Sequence, residues 1–167
     1  MVTSIGSKIG NLNASALSSL EINQVGWLTG EQLNALGDAG VLGSINSSLS
    51  LAQVQSMGLS AIGTNQEARL FQDAVQHLNV TSTDSLAERV AIAQAIHAVM
   101  NLATGGTPSA TLSQLQLLGL TSGALASDIS TLNSANQGYV DLALFNALTG
   151  SGGSELTSIA SLQSVIS

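Results

Sequence analysis

The sequence predicts an all-α protein, a compact array of short capped helices around a longer central helix. Two observations lead to this prediction. A nine-residue pattern that opens with a helix cap recurs along the chain, and no segment alternates apolar and polar residues as an exposed strand does. A chain of 167 residues is long enough to bury a core, so we expect a single all-helical domain over residues 1–167.

The recurring pattern has Ser or Thr first, usually Gln or Glu fourth, aliphatic residues fifth and eighth, and Gly ninth. The first residue can cap the N–H groups of a helix, and the fourth can bond back to the N–H of the cap residue. The two aliphatic residues share one helix face, and the glycine supplies the left-handed conformation that ends a helix. The copies begin at Ser18, Thr29, Ser50, Thr111 and, without the final glycine, Ser158.

The first third of the chain is predicted to consist of short helices. Residues 1–10 should be irregular, and Asn11 or Asn13 should cap the first helix. Trp27 lies between the first two pattern copies. Because isolated helices of this length are marginal in water, we expect Trp27 to wedge them together. Residues 38–48, which contain Gly40 and Gly43 and follow Gly37, are predicted to form turns.

Two longer helices should follow. Thr64 and Glu67 form a capping box for a helix over residues 65–78, and Ser85 and Glu88 form another for the longest helix. The apolar stripe of that longest helix is broad: Leu86, Val90, Ala93, Ile96, Val99, Met100 and Ala103. Since so wide a stripe suits a helix covered on more than one side, we expect it at the centre of the domain.

The last third restarts the pattern after Pro108, which marks an internal boundary near residues 104–110. Residues 50–60 and 111–121 match at an offset of 61 residues, which suggests two related helical halves. Further helices are predicted near 127–135, over 139–148 and from Glu155 onward.

Charge and composition exclude several classes of partner. Only 8% of the residues are charged, and the net charge is −7. The three cations, Lys8, Arg69 and Arg89, form no cluster, which argues against nucleic acid and anionic membranes. No apolar run approaches the roughly 18 residues of a membrane span, so no membrane insertion is expected. The chain has no cysteine, which excludes disulfides and thiolate metal sites.

The two histidines are candidate metal ligands. His77 and His97 fall on the two longer helices, and if these form a hairpin the histidines could meet, with Asp73 adding a carboxylate. Nothing resembles the H-E-x-x-H zinc motif, so ordinary helical histidines are the favoured interpretation. We therefore predict no metal ligand and no cofactor.

Three acidic residues of the last third, Asp128, Asp141 and Glu155, lie near predicted helix starts, where carboxylates complement the helix dipole. Calcium binding would need them to converge, although they are more than ten residues apart. No serine lies in a G-x-S-x-G motif, and the glycine runs lack the Lys-Ser/Thr of a phosphate loop. No catalytic residue is predicted, and the protein is not expected to be an enzyme.

One resemblance gives a functional class. The segment TLSQLQLLGLTSGALASDISTLNSA, with the later SELTSIASLQSVIS, resembles helical repeats of very large, adhesin-like bacterial surface proteins exported by type I secretion. It covers residues 111–167 best, 18–60 more loosely, and hardly touches 65–104. The resemblance implies a non-enzymatic structural or interaction module located outside the cell or at the bacterial surface. Its partners would be proteins: a second copy, neighbouring modules or a surface ligand.

The alternative is a small secreted protein similar to harpins, which are cysteine-free, acidic and rich in Gly, Ser, Asn, Gln and Leu, and which act on host cells. That resemblance rests on composition alone. The calcium-binding G-G-x-G-x-D repeats that often accompany the adhesin-like modules do not occur here.

Overall fold

The structure, a computed structural model, describes residues 6–78, 86–102, 110–121 and 137–166. These residues form helices and turns without a strand, which confirms the all-α class. The α-helices are α1 Ala14–Ser18, α2 Ile22–Val25, α3 Gly30–Asp38, α4 Leu51–Ser56, α5 Asn65–His77, α6 Leu86–Asn101, α7 Leu112–Leu117, α8 Gln137–Thr149 and α9 Ile159–Val165. Short 3₁₀ turns occupy Gly6–Asn11, Leu42–Ser44 and Gly153–Glu155. Across the described ranges, no helix is both long enough and apolar enough to span a bilayer.

Four of the five pattern copies form the predicted capped helix. The hydroxyls of Thr29, Ser50, Thr111 and Ser158 accept hydrogen bonds from the N–H three residues on, at 3.3, 3.2, 3.2 and 3.0 Å. In each copy the residue that donates this N–H, at the fourth place of the pattern, also accepts with its side chain from the N–H of the cap residue. The fifth-place residues are all buried: Leu33, Val54, Leu115 and Leu162. Spacing along the chain thus determines both the cap and the buried face.

The prediction for the first copy is wrong. Ser18 is the last residue of α1, and the residue that precedes α2 as its cap is Glu21. The N–H of Glu21 donates to Oε1 of Gln24 at 2.8 Å. Because α2 begins three residues later than the pattern predicts, Ile22 no longer faces the core and is 78% exposed.

The N-terminal region differs from the prediction in two further respects. Residues 6–11 form a 3₁₀ turn that packs on α3 and buries Ile9, rather than an irregular segment. Asn13 caps α1 as predicted, its Oδ1 accepting from the N–H of Ala16 at 2.8 Å. Trp27 is not a wedge, since 56% of it is exposed, and its neighbours Val25 and Leu28 are buried instead.

The pattern glycines divide into two groups. Gly58 and Gly119 have φ of +86° and +71° and end α4 and α7 as predicted. Gly37 does not end α3, which continues past it, and the left-handed residue is Gly40, with φ +69°. Gly26 is also right-handed, with φ −60°. The expected helix stop is therefore wrong at Gly37, whereas Gly26 does follow the end of α2 but without the left-handed conformation.

Close packing against Arg89 of α6 explains the glycine at position 37. A Cβ atom there would lie 2.7 Å from Cζ of Arg89 and 2.8 Å from its Nη1. Arg89 is 1% exposed, and its Nη2 donates to Oδ1 of Asp38 at 3.0 Å and to Oδ1 of Asn34 at 3.4 Å. Its Nε and Nη1 are buried without a hydrogen-bond partner. The absent side chain at Gly37 makes room for a buried cation between α3 and α6.

The core is centred on α5 and α6 together. Helix α6 packs against α3, α5 and α7, and α5 packs against α4, α6, α9 and the turn Leu42–Ser44. Within the α6 stripe Ala93, Ile96 and Val99 are fully buried, as predicted. Leu86 is 42% exposed, so the stripe does not reach the start of the helix. The long helix is central, but α5 shares that position.

The remaining boundaries mostly agree with the sequence. Helix α5 ends at His77, and α8 covers the predicted 139–148. The final helix begins at Ile159 rather than at Glu155, because Ser158 is its cap and Glu155 lies in the preceding 3₁₀ turn. Several predictions concern residues outside the described ranges: the cap at Ser85, Ala103 of the α6 stripe, the boundary around Pro108 and the helix near 127–135.

Glutamine side chains fasten the loops to the helices. Gln53 of α4 donates to the carbonyl of Val25 at the end of α2, at 2.8 Å, and to that of Leu28 in the α2–α3 connection, at 3.2 Å. Gln66 of α5 donates to two carbonyls of the α8–α9 connection at 2.6 and 3.1 Å. Gln163 of α9 exchanges two hydrogen bonds with the backbone of Thr121, at 2.9 and 3.1 Å. In a chain with few charges, neutral amides thus supply many of the polar links between segments.

Candidate functional site

A cleft between α5, α6 and the α8–α9 connection contains an imidazole paired with a buried carboxylate. Nδ1 of His97 lies 2.9 Å from Oε1 of Glu67. The Glu67 side chain is 4% exposed, whereas that of His97 is 52% exposed. Oε2 of Glu67 accepts from the N–H groups of Gly63 and Thr64 at 2.6 and 3.0 Å. Glu67 is therefore both the capping-box residue of α5 and the partner of His97.

The pairing fixes how His97 is presented. When Glu67 is ionised it only accepts hydrogen bonds, so Nδ1 of His97 then donates to it and Nε2 is left for other contacts. The cleft has a volume of about 480 Å³, and its lining includes Met100, Leu148 and Ser154. Within the described part of the chain, no serine or threonine hydroxyl is hydrogen-bonded to His97. The arrangement provides one oriented imidazole beside an apolar wall and no assembled nucleophile.

The two histidines that the sequence offers as candidate metal ligands have different surroundings in the structure. His77 is exposed at the end of α5, while His97 is paired with Glu67. Oδ2 of Asp73 accepts from the N–H of Ile159 at 2.7 Å and so holds the start of α9. The described residues contain no group of three or more His, Cys, Asp or Glu side chains placed to hold a metal ion. The structure does not bring the two histidines and Asp73 together.

The acidic residues of the last third also separate. Asp141 lies one turn inside α8, not at its start, and its Oδ1 is buried without a hydrogen-bond partner. Burial raises the pKa of Asp141 above its usual range, because desolvation disfavours the charged form. Glu155 lies in the turn before α9, and Asp128 falls outside the described residues. The prediction that Asp141 complements the helix dipole at a helix start is therefore wrong.

The glycine run after α8 serves to punctuate helices. Gly150 follows α8, and Gly153 begins the 3₁₀ turn that leads toward α9. A Cβ atom at Gly153 would collide with the backbone of Leu148, so the turn can close on α8 only with glycine there. The other run, at Gly105 and Gly106, lies outside the described residues.

An exposed apolar surface lies on α8, and we call Tyr139, Leu142 and Phe145 the α8 face. These side chains are 66%, 58% and 39% exposed, and they recur every three residues along the helix. The opposite side of α8 buries Val140 and Leu144. Helix α8 is therefore apolar on two sides, and in the part of the chain that the structure describes only the side with Val140 and Leu144 is covered. That pattern was present in the sequence, but it did not show which side the fold covers.

The chain was also compared with known proteins. No family model, curated protein sequence or solved structure matches it.

Proposed function

We propose that the protein is a non-enzymatic structural or interaction module of a secreted bacterial cell-surface protein, and that it associates with a second copy of itself through the α8 face. The observation that carries the proposal is the exposure of Tyr139, Leu142 and Phe145 on one helix. Contiguous apolar surface rimmed by polar residues marks an interaction site, and aromatic residues are enriched in interface cores. The adhesin-like resemblance supports the cellular setting.

Charge favours a second copy as the occupant. The only charged residue of α8 is Asp141, whose Oδ1 is turned into the protein. The rim of the α8 face has exposed neutral groups at Gly138, Asn146 and Thr149. A two-fold contact places the same patch against itself, so a surface with charges of one sign would repel. An uncharged face adds no local repulsion to a contact between two chains of net charge −7, and moderate salt screens the remaining long-range repulsion.

The architecture supports a modular role. Three pairs of helices, α3–α4, α6–α7 and α8–α9, share one plan. In each pair the first helix is followed by a connection whose sequence contains glycines, and then by a short helix capped by Ser or Thr. The two helices of each pair pack against one another. Stacked units of this kind bury their apolar faces against neighbouring units. The uncovered side of α8 is where such a neighbour would be placed.

Sedimentation velocity from micromolar to millimolar protein tests the proposal. We expect reversible dimers that persist in moderate salt and that are lost in Leu142→Asn and in Tyr139→Ser. Ile22→Asn is the matched control, because Ile22 is an exposed apolar residue (78%) outside α8, and this variant should dimerise normally. A wild-type monomer at all concentrations, or equal loss in the control, would contradict association through α8. Turnover of any substrate that His97→Ala abolishes would contradict the non-enzymatic role.

A further inference from the structure

We infer that a groove beside α5, separate from the α8 face, binds a sugar that carries a carboxylate, of the uronic-acid class. Two adjoining clefts of about 390 and 520 Å³ share Arg69 and Ser48. The first cleft extends from residues 45–48 across α5 to Thr157 and Ser158. The first cleft is open and shallow, and both volumes lie within the range of small-molecule sites. The inference does not depend on the association proposed for α8.

Side chains of α5 fix both walls of the first cleft. Oε1 of Gln72 accepts from the N–H of Leu49 at 2.9 Å, and its Nε2 donates to the carbonyl of Ser47 at 2.8 Å. On the other wall, Asp73 accepts the N–H of Ile159 at 2.7 Å. The groove is thus formed before a ligand arrives, which lowers the entropic cost of binding.

Other polar groups of the groove remain free to bind a ligand. Arg69 is exposed, and in the described structure its guanidinium makes no hydrogen bond or ion pair with the protein. The side chains of Asn46, Ser47, Ser48 and Gln76 likewise have no protein partner among the described residues. The cleft therefore presents one cationic fork, two amides and two hydroxyls.

This set of groups defines the chemistry of the ligand. A guanidinium matches a planar carboxylate with two parallel hydrogen bonds. Asp73 lines the same cleft one turn along α5 and offsets the charge of Arg69, so a monoanion is favoured over a phosphate dianion. Amides and hydroxyls both donate and accept, which suits the hydroxyls of a sugar ring.

A peptide fits the first cleft less well. Among its described lining residues only Ile45 is apolar, so the cleft has no pocket for a hydrophobic anchor side chain. The lining also includes no exposed strand edge to which a peptide backbone could pair. The ligand must therefore bind mainly through hydrogen bonds and one charge, as a uronic acid does.

Titration of the ¹⁵N-labelled full chain with D-glucuronate tests the inference by NMR. We expect fast-exchange shifts at residues 45–48, 69–76 and 157–158, with a dissociation constant of about 1 mM, because no aromatic ring lines the cleft for stacking. D-glucose, which lacks the carboxylate, and acetate, which lacks the ring hydroxyls, should each bind about tenfold more weakly or worse.

Variants separate the site from general charge effects. Arg69→Gln should lose about tenfold or more in glucuronate affinity and keep its thermal stability, because the exposed guanidinium has no partner in the described fold. Lys8→Gln, which removes an exposed cation elsewhere, should bind as wild type. Arg69→Lys should retain part of the affinity, since it keeps the charge without the planar fork.

Several results would overturn the inference. Equal affinity for glucose and glucuronate would remove the role of the carboxylate. Tighter binding of inorganic phosphate would assign a general oxyanion site, and tighter binding of an acidic peptide would assign a peptide site. Unchanged glucuronate binding in Arg69→Gln, or no shift in the groove at saturating sugar concentration, would reject the site itself.

Discussion

The contact between Gly37 and Arg89 predicts that one substitution should change sign with its background. Gly37 lies inside α3, where replacing glycine by alanine normally stabilises a helix by about 1 kcal/mol. Here the new Cβ atom would lie 2.7 Å from Cζ of Arg89. Arg89 is buried and hydrogen-bonded to Asp38 and Asn34, so it cannot move aside without breaking those bonds.

The magnitude follows from two opposing terms. Overpacking of this kind typically costs about 1 to 3 kcal/mol, so Gly37→Ala should lie between neutral and about 2 kcal/mol destabilising in the wild type. In Arg89→Met the guanidinium is gone, and Gly37→Ala should stabilise by about 1 kcal/mol. The coupling between the two positions is then about 1 to 3 kcal/mol.

Urea unfolding of the four proteins in this double-mutant cycle, followed by far-UV circular dichroism, measures the coupling. Gly138→Ala is the matched control, because a Cβ atom there meets nothing within 4 Å, and it should have the same effect in both backgrounds. If Gly37→Ala had one effect regardless of residue 89, the packing explanation for this glycine would be refuted.

Three further predictions concern the caps, the core and pH. Thr111→Ala should cost about 1 kcal/mol and leave a folded protein by circular dichroism, because several caps share the work; unfolding at room temperature would contradict this. Ile96→Ala should cost about 2 to 5 kcal/mol in a urea titration, whereas the exposed Gln94→Ala should stay within about 0.5 kcal/mol. Asp141→Asn should raise the melting temperature at neutral pH, since the raised pKa of Asp141 means that ionisation opposes folding. This gain should fade as pH falls below the ordinary value of 3.8, where Asp141 is protonated folded or unfolded, and a gain that persists there would contradict the explanation.

The sequence predicted local features well because a cap depends on residues three positions apart. Thr29, Ser50 and Thr111 each form a capping box with the glutamine three residues later, as the pattern requires. The failure at Ser18 has the same origin, because Glu21 and Gln24 offer an overlapping alternative that the pattern alone could not rank.

Long-range features escaped prediction because they depend on how helices rotate against one another. Arg89 and Asp38 are 51 residues apart, and no local signal marks Arg89 as buried or Gly37 as its neighbour. His97 was placed correctly on α6, but its partner is Glu67, 30 residues away, rather than His77. The groove at Arg69 is assembled from three separate segments, so no short sequence motif could predict it.

Because glutamine amides hold several loops to the helices, the fold is sensitive to deamidation as the protein ages. Gln66 holds the α8–α9 connection by donating from Nε2 to the carbonyls of Gly153 and Leu156. Deamidation would replace that nitrogen by an oxygen of nearly the same size, so that a carboxylate would face two carbonyl oxygens with nothing to donate. The side chain would keep its shape but lose both hydrogen bonds to these carbonyls. The attachment of the α8–α9 connection to α5 would then weaken, while Asp73 would still hold the start of α9, and Gln66→Glu reproduces the aged form.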